Sequence, residues 1–200
     1  AAGRDGDERV AVTVPARQPG VRAVADGDGS GQPLTGSGTT TFEGAVGDGT
    51  GTALEFLTTN GGGATDLSGG TVTTTGAQTY TDSVVLTDGT VLTSTMGGAI
   101  DFASTVNGAQ ALSVNTAGLT IFRAPVGGTP GGALASLTTD APGTTTIHGG
   151  TITTTGSQTY SDAVTLSTDT TLVAGADITF ADALDSLDGT QGLTANAGGA

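Results

Sequence analysis

Apolar positions along this chain come in short alternating runs broken by glycine-rich steps, the pattern of thin β-structure with many tight turns. Aromatics fall at Phe42, Tyr80, Phe102, Phe122, Tyr160 and Phe180, separated by 38, 22, 20, 38 and 20 residues. Four positions after each comes another apolar residue: Val46, Val84, Val106, Val126, Val164 and Leu184. A leucine follows at Leu54, Leu92, Leu112, Leu134, Leu172 and Leu193. The 38-residue gaps read as two steps of about 19 with one aromatic slot empty, filled by Leu67 with Val72 and by Ile147 with Ile152. No apolar stripe repeats every 3.6 residues, so the pattern predicts almost no helix.

A longer period encloses the short one. Gly36–Leu92 aligns without a gap on Thr116–Leu172 at an offset of 80, with 28 of 57 pairs identical. Thr71-Val72-Thr73-Thr74-Thr75-Gly76 meets Thr151-Ile152-Thr153-Thr154-Thr155-Gly156, and Gln78-Thr79-Tyr80 meets Gln158-Thr159-Tyr160. Each unit of about 20 residues reads as one coil of two or three short strands, with four coils per 80-residue repeat. A coil that small buries its apolar residues only by stacking on its neighbours. About ten such coils at roughly 4.8 Å spacing predict a rod on the order of 50 Å long. Asn107-Gly108, Asp88-Gly89 and Gly69-Gly70 mark turns where a positive φ is expected. The fold class predicted is all-β, a parallel β-solenoid over residues 34–200. Residues 1–33 form a separate N-terminal segment with a candidate strand at 9–14. A string of immunoglobulin-like sandwiches is the rival, because 80 residues is near that size. The thin core and the 20-residue subperiod favour the solenoid.

Composition narrows the functional classes. There are 36 glycines, no cysteine, no tryptophan and no lysine, and the net charge is −14. Residues 1–22 carry Arg4, Arg9, Arg17 and Arg22 against Asp5, Asp7 and Glu8; beyond them Arg123 stands alone against every remaining acid. Such a surface repels phosphate backbones and anionic lipid, which disfavours nucleic acid and membrane surfaces as partners. No membrane span and no signal peptide are visible. Without cysteine there is neither disulfide stapling nor a thiolate metal site, so stability must come from stacking.

The stretch Thr151-Ile152-Thr153-Thr154-Thr155-Gly156-Ser157-Gln158-Thr159-Tyr160 resembles repeats of very long bacterial surface proteins. Val164-Thr165-Leu166 and Phe42-Glu43-Gly44-Ala45-Val46-Gly47 do so as well. The family is the filamentous-haemagglutinin and autotransporter-adhesin group, and the resemblance spans about residues 34–200. It implies a right-handed parallel β-helix, export to the cell surface or medium, and a structural or adhesive role with a host or matrix glycan or protein as partner. The alternative is a filament subunit that polymerises head to tail. At its C-terminal side, Leu193 to Ala200 matches Leu112 to Gly118, which inside the chain continues straight into Leu119-Thr120-Ile121-Phe122. More protein is therefore expected on that edge, either further repeats of the same chain or an identical subunit stacked end to end.

Candidate sites are few. Asp26-Gly27-Asp28-Gly29-Ser30-Gly31 reads as the opening of a calcium loop, with Asp26, Asp28 and Ser30 as hard oxygen ligands; it reads equally as a polar linker. The twelfth position of the loop, where a bidentate glutamate belongs, is Ser37, and no other cofactor is indicated. A polysaccharide-active enzyme on this fold would need clustered carboxylates with a raised pKa or a basic group beside a bound cation. One histidine, no lysine and one arginine beyond residue 22 do not supply that inventory, so catalysis is not expected. Asp82 and Asp162 sit at equivalent places, as residues of a structural turn do; His148 replaces Ser68 and reads as a surface substitution. The threonine runs at 71–75 and 151–155 invite an ice-binding reading, but recur once per long repeat, and threonine suits half-exposed strands by β-branching alone.

Overall fold

The computed structural model describes residues 23–24, 38–47, 53–59, 61–128 and 132–198. Within them the chain is a β-solenoid of about seven turns, each about 21 residues long, with no helix. β1 (Ala23–Val24) precedes the stack. The first coil holds β2 (Thr39–Phe42) and β3 (Leu57–Thr59). The second holds β4 (Ala64–Leu67), β5 (Thr71–Thr74) and β6 (Gln78–Tyr80). The third holds β7 (Ser83–Leu86), β8 (Thr90–Ser94) and β9 (Ile100–Phe102). The fourth holds β10 (Val106–Asn107), β11 (Ala111–Thr116) and β12 (Leu119–Phe122). β13 (Ser136–Thr139) and β14 (Thr144–Ile147) lie in the fifth coil; β15 (Thr151–Thr154), β16 (Gln158–Tyr160) and β17 (Ala163–Leu166) form the sixth. β18 (Thr170–Ala174), β19 (Ile178–Phe180) and β20 (Leu184–Ser186) form the seventh, and β21 (Leu193–Ala197) opens the next.

Parallel ladders run along three faces. Face A stacks β2, β4, β7 and β10, passes through the Val106–Val126 and Val126–Ile152 bridges, and continues through β15, β18 and β21. Face B starts at Val46 and Leu54, which bridge to β5, then runs through β8, β11, β13, β16 and β19. Face C runs β3, β6, β9, β12, β14, β17, β20. The chain visits them always in the order A, B, C. Strands alternate buried and half-exposed residues, since successive side chains leave opposite sides of a strand. One core therefore runs the length of the stack.

The aromatic–valine–leucine triplets are cross-sections of that core. Tyr80, Val84 and Leu92 come from three successive faces and are completely buried, as are Tyr160 and Leu172 with Val164 nearly so. On face C the rings of Tyr80, Phe102 and Phe122 stack at centroid distances of 5.3 and 5.2 Å; on face B, Tyr160 stacks on Phe180 at 5.1 Å.

Two features of the expected packing change. The stack has about seven turns, not ten. The long repeat also does not close on four coils: from β2 to β12 the chain advances eleven strand positions, counting the Val46 bridge, which is three and two-thirds coils. Equivalent strands of the two repeats consequently lie on different faces, β2 on A but β12 on C, β6 on C but β16 on B. The 38-residue gap between Phe42 and Tyr80 is thus a change of face and not an empty slot in one ladder. Coil length varies as well: ladder partners Thr39 and Ala64 are 25 residues apart, Ala64 and Ser83 only 19. The corners absorb the difference.

Close stacking dictates glycine at particular corners. A Cβ on Gly149 would lie 2.1 Å from the Ala124 carbonyl oxygen of the coil before it, and one on Gly69 equally close to that of Gly44. Gly70 and Gly108 have the positive φ expected of them, 76° and 119°. Gly89 does not; its N–H is instead held by the Asp88 carboxylate at 2.7 Å.

Candidate functional site

The most elaborate polar constellation faces inward. Gln78 is fully buried on β6, and its Nε2 donates to the carbonyl of Val72 in its own coil at 3.2 Å and to that of Thr93 in the next at 3.0 Å. Tyr80 Oη donates to Gln78 Oε1 at 2.9 Å. The second repeat reproduces the set: Gln158 Nε2 reaches the Ile152 carbonyl at 3.2 Å and that of Val173 at 2.9 Å, and Tyr160 Oη meets Gln158 Oε1 at 3.1 Å. Thr74 and Thr154 complete it, each turning its hydroxyl to the carbonyl two residues on. Burial raises the pKa of both tyrosines well above the usual phenol value, so they act as permanent hydroxyl donors. The network ties one coil to the next, and neither glutamine is accessible from outside.

The paired aspartates follow the same logic. Asp162 is buried at a corner, where Thr139 Oγ1 donates to it at 2.6 Å and Thr145 Oγ1 at 2.8 Å. Desolvation raises its pKa, opposed by those hydroxyl bonds. Asp82 is buried too, but more loosely held, with Thr65 Oγ1 at 3.5 Å and the Gly63 N–H at 3.2 Å. Thr59, the counterpart of Thr139, leaves its buried hydroxyl without a partner. Asp140, whose charge adds to the rise at Asp162, is itself engaged by the Thr116 N–H at 2.8 Å. These carboxylates hold corners together.

Outside, the strand positions are mostly threonine and serine. Arg123 grips Asp101 of the preceding coil through two nitrogens at 2.8 Å, and that bond raises its pKa. His148 is exposed at the end of β14, its Nδ1 2.5 Å from Ser167 Oγ of the next coil. The two threonine runs fall on different faces, β5 on B and β15 on A, and build no common surface. Large exposed apolar side chains sit singly: Phe56, Met96 and Leu187. Among the described residues no three His, Asp or Glu side chains are grouped to hold a metal ion. Asp26, Asp28 and Ser30, and the candidate strand at 9–14, lie outside the described residues.

Sequence reasoning found the aspartate pair and the aromatics but passed over the glutamines. The signal was the identical Gln-Thr-Tyr in both repeats, whose alternation puts Gln and Tyr on one side of a strand and so both into the core. No protein-family model, no curated protein and no solved structure matches this chain.

Proposed function

We propose that the chain is a structural and adhesive rod, a repeat segment of a secreted or cell-surface fibrous protein. The observation that carries the reading is where the polar chemistry goes. Both Gln–Tyr networks and both buried aspartates are spent on joining one coil to the next. The side chains left outside are short hydroxyls on flat faces with carboxylates mainly at the corners, a surface suited to display and to solubility in a strongly acidic chain. The screw relation between the repeats supports the same reading. An array built from this unit presents each surface feature on all three faces in turn, as a spacer with no preferred side requires.

Ligand and carrier roles separate by experiment. The 200-residue chain is applied to a glycan array and to cultured cells. Saturable binding that competes with soluble glycan identifies an adhesin; no binding identifies a passive spacer. Turnover of any polysaccharide by the purified chain would overturn the reading.

A further inference from the structure

The end of the stack formed by β19, β20 and β21 has an exact internal counterpart. By the repeat these strands match β9, β10 and β11, which in the interior are covered by the next coil. β12 pairs with β9 at three residues, Val126 bridges to Val106, and β13 pairs with β11 at four. Phe102 is consequently stacked on both sides, by Tyr80 and by Phe122, whereas Phe180 is stacked only by Tyr160. The burial follows: Ile100 and Phe102 are buried, while Ile178 and Phe180 are only partly so, together with Leu184 and Leu193. β19, β20 and β21 each have a strand partner on one side only among the described residues.

The internal interface also says what fits there. The counterparts of β12, Val126 and β13 are β2, Val46 and β3, which form the opposite end of this same stack. We infer that the β19–β21 end is a docking face for the β2–β3 end of a second copy of this chain, turned by one face, with the incoming Phe42 laid on Phe180. Thr41 of the incoming molecule then lies beside Thr179, as Ile121 lies beside Asp101, and Leu57 beside Leu193, as Leu137 lies beside Leu112. No carboxylate meets a carboxylate in this register: Glu43 takes the place of Arg123 and Thr179 that of Asp101. One obstacle is built in. β1 lies antiparallel on the outer edge of β2, pairing Ala23 with Phe42 and Val24 with Thr41. Docking must displace this two-residue strand, and the longer parallel interface wins at sufficient concentration. This deepens the rod reading and rests on it.

The chain has no cysteine, which allows a clean test. Thr41→Cys and Thr179→Cys are made in separate full-length chains, mixed, and oxidised with a glutathione buffer. Outward residues opposite each other on neighbouring strands are within disulfide reach. A disulfide heterodimer is expected, at least tenfold more abundant than from Thr39→Cys mixed with Thr179→Cys, a pair out of register. Sedimentation velocity should show self-association that grows with salt, because two strongly acidic molecules are being brought together. Replacing Ala23 and Val24 by proline should lower the concentration needed at least threefold. If the proline variant keeps its β-sheet circular dichroism yet stays monomeric, the docking is overturned and the rod reading stands. Equal yields from both cysteine pairs would also overturn it, and loss of the sheet signal in the unmodified chain would sink both.

Discussion

Tyr160 donates its hydroxyl to Gln158, two residues earlier on β16, at 3.1 Å, and Tyr80 does the same to Gln78 at 2.9 Å. Each pair lies wholly inside the core, so its hydrogen bonds have no water to fall back on. Gln158→Leu orphans the tyrosine hydroxyl and the Val173 carbonyl, at about 1–3 kcal/mol for each group left bare. Urea or thermal unfolding should register that loss. Adding Tyr160→Phe should restore part of it, because one orphan disappears; a double variant that loses the full sum of the two single effects would show that the pair is not coupled.

Asp162 gives a pH signature. Burial holds its proton more tightly in the folded chain than in the unfolded one, so its contribution is present below the ordinary carboxylate pKa of about 4 and is lost as pH rises through the folded value. Asp162→Asn keeps an acceptor for Thr145 and cannot ionise. Its stability relative to the parent chain should therefore climb from about pH 4 upward. A difference that stays constant with pH would contradict the assignment.

The aromatic ladder predicts unequal costs for equivalent residues. Phe102→Ala opens a hole between two stacked rings and should cost about 3–5 kcal/mol. Phe180→Ala removes a partly exposed ring stacked on one side and should cost less than half as much in dilute solution. Chemical denaturation of both variants, at a concentration where the chain is monomeric, makes the comparison.

Two glycines separate contact from turn chemistry. Gly149→Ala drives a methyl into the Ala124 carbonyl of the neighbouring coil and should destabilise by about 1–3 kcal/mol. Gly89→Ala meets nothing within 4 Å and has no positive φ, so its unfolding midpoint should stay close to that of the parent chain. Equal effects would mean that the coils are not in contact at Gly149.

Arg123 reports on whether the coils are closed. Its N–H donates to the Phe102 carbonyl at 3.0 Å, and its guanidinium is clasped by Asp101. Under native conditions trypsin should cut at the arginines up to residue 22 and leave the bond after Arg123 intact. The ion pair itself is partly exposed and salt-screened, so Arg123→Gln should cost no more than about 1 kcal/mol.

The β-class, the absence of helix, the parallel stacking and the inward set of aromatics, valines and leucines were all legible in the chain, because side-chain alternation and turn glycines are local properties. So was the nesting of a short period inside an 80-residue one. The structural character of Asp82 and Asp162 was legible from their recurrence, though the threonine hydroxyls that hold them lie 17 to 23 residues away.

How many coils the repeat spans was not legible. Residue spacing counts positions along the chain, while face assignment depends on how many strands close each turn and on which corners take up slack. Phe42 and Tyr80 look like members of one ladder with a gap, yet they stand on faces A and C, since Val46 and Leu54 make a strand position without forming a full strand. The repeat advances eleven positions around a three-sided coil, and eleven is not a multiple of three. Local sequence therefore determined each strand and its buried side; only the closed stack decided which face that strand joins, because a ladder partner is chosen by the coil lying beneath it and not by its neighbours in the chain.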